Sequence, residues 1–130
     1  MVVLIIMGVV AGLAMPRYTR SVAIAKERRA LNNLYMIHDA EINYKKYNGV
    51  YWPPAGPLEN LAAINANLVL NILADGDTYT CRFQPSPGSG YECVVTFDNG
   101  AYELTLIEDP IQEGVNPCCS DGACPLTAAC

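Results

Sequence analysis

The chain has 130 residues, enough for one domain or for one domain with an appended element. Its balance is acidic, with 13 Asp and Glu against 8 Lys and Arg and a single His, and the one basic cluster runs from Lys26 to Arg29. That argues against a nucleic-acid footprint, which needs clustered cations to release counterions. Six cysteines, none before Cys81, point to a disulfide framework laid down in an oxidising compartment.

The first sixteen residues, MVVLIIMGVVAGLAMP, carry no charge. No basic segment precedes the run and no small-residue cleavage site follows it, so it does not read as a cleaved signal peptide. A membrane-spanning helix needs about 20 apolar residues, and this run is shorter. Gly8 and Gly12 have the spacing that lets two helices approach closely, with Ala11 beside them. Pro16 follows, without an N–H and with its ring opposed to the carbonyl four residues back. Each glycine costs about 1 kcal/mol of helix propensity, so residues 8–16 form a helix that melts cheaply.

From Arg17 the pattern becomes amphipathic. At about 100° per residue, Ile24, Leu31, Leu34, Tyr35, His38 and Ile42 fall on one side, a stripe roughly 100° wide. Lys26, Arg28, Arg29, Asn33 and Asp39 fall away from it. The helix is expected to stop at Asn48-Gly49, with Lys45 and Lys46 in its last turn. Residues 1–49 then form a spine of roughly 70 Å. An 80-residue remainder cannot bury that length, so the first half of the spine must find partners elsewhere.

Residues 50–130 read as a globular head with a Cys-rich tail. A Pro/Gly-rich turn, VYWPPAGP, leads into LENLAAINANLVLNIL, a short helix or irregular segment. The period then changes to two: TYTCRF (78–83) and YECVVTF (91–97) flank the loop signal QPSPGSG, and FDNGAY turns the chain into AYELTLI (101–107). Cys81 and Cys93 are each six residues from Pro87, so an antiparallel register centred there sets them opposite each other as a disulfide. Cys118, Cys119, Cys124 and Cys130 hold a tail with little hydrophobic pattern. Six cysteines allow 15 pairings, which leaves the rest of the connectivity open.

A catalytic constellation is missing. His38 lies on the apolar stripe without a second His or a reactive Ser or Cys to complete a triad. The tail cysteines are spaced irregularly for zinc. Asp75 and Asp77, or Glu108, Asp109 and Glu113, could offer oxygen ligands to Ca²⁺, although a solvated turn is the plainer reading and no cofactor is expected. Tyr35, Tyr44, Tyr47 and Tyr51 gather near the helix end, where a core and interface role outweighs an electron-conducting stack.

The apolar front, the Gly–Gly–Pro weak point, the amphipathic spine and the disulfided β head together resemble a type IV pilin. MVVLIIMGVVAGLAMPRYTRSVAIAKERRALNNLY is similar to the pilin N-terminal helix almost throughout, and YNGVYWPP resembles the turn that follows it in pilins and in the major pseudopilins of type II secretion. The likeness is specific over residues 1–54 and architectural beyond. It implies an α+β, pilin-like fold with a long N-terminal helix packed on a small antiparallel sheet. The family's processed chain opens with Phe followed shortly by a Glu that pairs with a neighbour's amino terminus. That Glu would align two residues before Met1, so the expectation is a mature chain that begins upstream, where about six more residues would give a membrane-spanning rod.

The resemblance further implies a homopolymer. A precursor would wait in the bacterial inner membrane, a prepilin peptidase would trim its leader, and an assembly ATPase would drive subunits into a surface filament. Val2, Val3, Leu4, Ile5, Ile6, Gly8, Val9, Ala11, Gly12, Leu13, Pro16, Ile24 and Leu31 are its expected core-packing residues, with residues 8–16 partly non-helical once assembled. Two alternatives stay open: a pseudopilin forming a short periplasmic piston, and a monomeric membrane-anchored binding module. An enzyme is the least supported reading.

Overall fold

The computed structural model describes residues 2–84, 90–97, 100–108, 115–121 and 124–130. One helix, α1 (Val2–Asn48), occupies the first third of the chain, 47 residues without interruption. It passes through Gly8, Gly12 and Pro16 as helix, so the cheap segment is folded in the isolated chain. It ends where the sequence signals an end. Gly49 takes a positive φ of 80° that a side chain would resist, and its N–H donates to the Lys45 carbonyl at 2.7 Å. The Asn48 amide donates to the Tyr44 carbonyl. Lys45 and Lys46 stand in the last turn, where cations favour the helix dipole.

After α1 come β1 (Glu59–Asn60), α2 (Leu61–Leu68), β2 (Thr78–Gln84), β3 (Gly90–Phe97), β4 (Tyr102–Ile107) and β5 (Cys118–Asp121). The strands form one antiparallel sheet in the order β1-β2-β3-β4-β5. The three long strands match the period-two segments to within a residue. Helix α2 resolves the ambiguous LENLAAINANL stretch; Asn60 caps it by accepting from the Ala63 N–H. Together these elements make an α+β fold: a long N-terminal helix and an antiparallel sheet, with a disulfide-bonded C-terminal region.

The core lies between the sheet's inner face and the second half of α1. Tyr79, Cys81, Tyr91, Cys93, Val95, Phe97, Leu104 and Leu106 supply the sheet side; Ala30, Leu34 and Ile37 supply the helix; Ile64 and Leu68 come from α2. The buried face of α1 differs from the apolar stripe of the sequence. The buried face of α1 is Glu27, Ala30, Leu34, Ile37 and Glu41, whereas Ile24, Leu31, Tyr35 and His38 are half-buried and Ile42 is 47% exposed. At about 100° per residue the buried face is rotated by roughly 70° from the apolar stripe. Leu34 alone is common to both. Two buried carboxylates take positions that a hydrophobicity pattern assigns to apolar residues.

Polar contacts fix this rotation along α1. Glu27 accepts the backbone N–H groups of Leu126 (2.9 Å) and Thr127 (2.7 Å), tying the C-terminal tail to the helix. The Arg29 guanidinium bridges Asp75 and Asp77, the latter at 3.1 Å. The Asn33 amide donates to the Tyr79 hydroxyl, His38 Nδ1 lies 2.5 Å from the Tyr91 hydroxyl, and Glu41 accepts the Trp52 N–H at 2.9 Å. Lys45 completes the series, 4.1 Å from the Tyr51 ring centroid and 3.6 Å from Glu108. Arg29 and Asn33, assigned by the pattern to the outer side, are therefore head-facing residues.

Two asparagines stand in for missing strand partners. Asn65 both donates to and accepts from the Ile72 backbone (2.9 and 3.0 Å), and Asn116 does the same for Ile107 (3.1 and 3.2 Å). Cys81 and Cys93 are register partners 4.1 Å apart at Cα and are bonded on the core side of the sheet. The remaining pairs are Cys118–Cys130 and Cys119–Cys124. They fold the tail back along β5, where the Cys119 N–H donates to the Ala128 carbonyl and the Cys130 N–H to the Cys119 carbonyl. With little apolar area of its own, this segment depends on cross-links and backbone bonds for its order.

Candidate assembly surface

The head covers α1 only from about Ala23 onward. Ahead of that point every described side chain is exposed, and Val3, Ile5, Ile6, Met7 and Val9 are each 57% to 67% accessible. Contiguous apolar area on this scale is rare on a protein that stays alone. A fully exposed Val or Ile forgoes about 1.5–3 kcal/mol relative to burial. No helix among the described residues is long and apolar enough to cross a membrane.

Of the residues the sequence singles out for packing, Val3, Ile5, Ile6 and Val9 lie on this bare rod. Gly8 and Gly12 are on it too, and a methyl group built at either would meet nothing within 4 Å. Nothing in the isolated chain therefore requires glycine there. The side chains of Val2, Leu4, Ala11, Leu13 and Pro16 are outside the described residues. Ile24 and Leu31 sit further along, half-buried at the margin of the head.

Beyond the rod a mixed stripe continues. Arg17, Arg20 and Arg28 are exposed, and with Ile24, Leu31 and Tyr35 they share one side of α1, about 80° wide. Leu31 and Tyr35 line a 570 Å³ concavity with Pro117 and Leu126 of the disulfided tail. The apolar stripe of the sequence thus exists, but it borders the head instead of inserting into it.

The residues considered for Ca²⁺ are otherwise engaged. Asp75 and Asp77 pair with the Arg29 guanidinium, which supplies the positive charge a cation would bring, and Asp77 is buried. Glu108 pairs with Lys45, while Asp109 and Glu113 lie outside the described residues. Among the described residues no group of three or more His, Cys, Asp or Glu is placed to hold a metal.

His38 packs against Tyr91 with ring centroids 6.3 Å apart, and burial lowers its pKa. Tyr51 meets Tyr91 edge-on at 5.1 Å. Of the expected tyrosine group, Tyr35 and Tyr44 are half-buried and Tyr47 projects into solvent, so the four do not form one stack.

Glu27 and Glu41 escape a reading by hydrophobicity. Their signal is spacing: with Ala30, Leu34 and Ile37 they complete a 27-30-34-37-41 series, the period of one helix face. Glu41 is fully buried, one of its oxygens has no hydrogen-bond partner among the described residues, and desolvation pushes its pKa up to about 8 against the weaker pull of the Trp52 N–H.

Set against family models, curated proteins and solved structures, the chain finds no match.

Proposed function

We propose that this chain is the structural subunit of a type IV pilus-like filament, polymerising through its N-terminal helix. The observation that carries the reading is the division of α1: from Glu27 to Lys45 it is held to the head by polar contacts, and at Val3, Ile5, Ile6, Met7 and Val9 it presents apolar side chains that none of the described residues covers. A rod that is apolar and bare is completed by copies of itself. The hydrophobic gain over a lipid environment is small, so cohesion rests on close approach at Gly8, Ala11 and Gly12 and on interhelical polar contacts. That account gives the glycines the purpose they lack in the isolated chain.

The head outside, the rod in the inner membrane and a motor that drives transfer between the two belong to the same proposal. So does partial melting of residues 8–16 in the assembled state, which would let the rod lengthen and the head tilt. A short pseudopilus is the second reading, supported by YNGVYWPP after the spine; the three disulfides favour exposure outside the cell.

Shearing of native cells followed by electron microscopy and mass spectrometry tests the proposal. Long fibres containing this subunit are expected. Its recovery only in envelope fractions, with no fibre, overturns the surface-filament reading, and a filament map with unbroken helix through residues 8–16 overturns the melting.

A further inference from the structure

Besides its head-facing side and its arginine stripe, α1 has a third side. Met36, Asp39, Tyr44 and Tyr47 face Leu68 and Val69 at the end of α2 across an open groove of 790 Å³. Its rim is unusual. Val69 caps α2 in the left-handed region (φ 55°, ψ 46°), a conformation a β-branched residue resists, and it is 89% exposed; Tyr47 is 85% exposed. Strain held at an exposed apolar residue points to a use outside the isolated fold. Among the described residues, Asp39 is the only charged one lining the groove.

The stripe is its electrostatic complement. Arg17, Arg20 and Arg28 are exposed and have no carboxylate partner among the described residues; Ile24 lies between Arg20 and Arg28, and Leu31 and Tyr35 follow Arg28 on the same side of α1. Charge is also divided along the chain: residues 1–49 hold seven Lys and Arg against three Asp and Glu, and residues 50–130 hold one against ten. Copies aligned side by side without stagger would set basic collar against basic collar and acidic head against acidic head. Staggered copies avoid both.

Resting on the filament reading, we propose that the groove at Asp39 and Val69 of one copy receives the arginine stripe of a staggered second copy. The two surfaces are made of different residues, the centre of the groove lying roughly 120° from the stripe around α1 with Asp39 on its nearer edge, so the contact is heterologous. It builds an open array instead of closing into a dimer. Asp39 meets an arginine in a salt bridge, while Tyr47 and Val69 cover apolar residues of the same stripe. With parallel helices each arginine sets its own stagger, about 16 Å for Arg28, 28 Å for Arg20 and 33 Å for Arg17, from 1.5 Å per residue.

Charge reversal in the full-length chain tests this. One variant carries Asp39→Arg, another carries Arg17→Glu, Arg20→Glu and Arg28→Glu, and a third combines all four changes. All the altered residues are exposed, and unchanged Trp52 fluorescence confirms an intact head. Each of the first two is expected to raise the critical concentration for assembly at least tenfold, because like charges then face each other. The combined variant is expected to return to within about threefold of the native value. Native chains that assemble while both reversals are silent, or a combined variant no better than its parents, overturn this docking and leave the filament reading standing. Native chains that never assemble overturn both.

Discussion

Glu41 offers a sharp test of how the spine is joined to the head. Its side chain is fully buried, one oxygen accepts the Trp52 N–H, and its pKa rises from 4.5 to about 8 because burial penalises the charged form. A carboxyl whose folded pKa lies above its unfolded value keeps its proton in the native state after the unfolded chain has lost it. Stability therefore falls as pH rises from about 4.5 to 8. The full shift corresponds to a ceiling on the order of 5 kcal/mol; with relaxation around the ionised group, roughly 2–3 kcal/mol is expected. Glu41→Gln keeps an acceptor for the Trp52 N–H and removes the titration. Trp52, the only tryptophan and itself buried, reports unfolding by fluorescence in the detergent-solubilised chain. The two proteins should melt together near pH 5 and separate with rising pH, the variant being about 10 °C more stable by pH 8.5. His38, whose pKa burial lowers, contributes with the opposite sign on the acid side of 6.5 and is common to both proteins, so the difference isolates Glu41. A difference independent of pH, or a variant less stable at high pH, refutes the reasoning.

Three further expectations follow from the same contacts. Replacing Cys81 and Cys93 together by Ala removes a cross-link between residues 12 apart in sequence, which lowers stability by about 3 kcal/mol in a thermal melt; an unchanged melt contradicts it. Glu27→Ala strips two backbone N–H groups of their acceptor, so the Leu126 and Thr127 amides should exchange much faster and the tail should become open to proteolysis, with the sheet amides unaffected. Gly8→Leu and Gly12→Leu meet open space in the isolated chain and raise helix propensity, so head stability should hold while fibre yield collapses. Fibres of normal yield from both variants argue against close helix packing at these positions.

Much of the fold is legible in the sequence because local signals suffice for it. Asn48-Gly49 ends the spine by a helix C-terminal rule that needs no tertiary context. The long strands show through their alternation, and Cys81 and Cys93 show through their symmetry about one loop. Where order depends on distant partners, the sequence is silent. The two-residue β1 and the four-residue β5 exist only through pairing with β2 and β4. The roles of Asn65 and Asn116 show only once the backbone that each one bridges is in place.

The rotation of α1 is instructive. Hydrophobicity selects Ile24, Leu31, Leu34, Tyr35, His38 and Ile42; of these the head buries only Leu34 fully and otherwise takes the side that contains Glu27 and Glu41, because those carboxyl groups satisfy backbone N–H groups at Trp52, Leu126 and Thr127. A buried acceptor is justified only by donors 11 to 100 residues away, which no local window sees. The displaced stripe remains at the surface, flanked by arginines and continuous with the bare rod. An apolar stripe that the chain's own core covers only in part leaves surface for another molecule.

The account stands or falls on what surrounds Ile5 and Val9. The most direct measurement is cryo-electron microscopy of the full-length chain as detergent is withdrawn. Ordered fibres are expected, with the front halves of α1 bundled at the centre and Ile5 and Val9 in contact with other copies. Dispersed single molecules, or fibres in which those side chains face water, would contradict it.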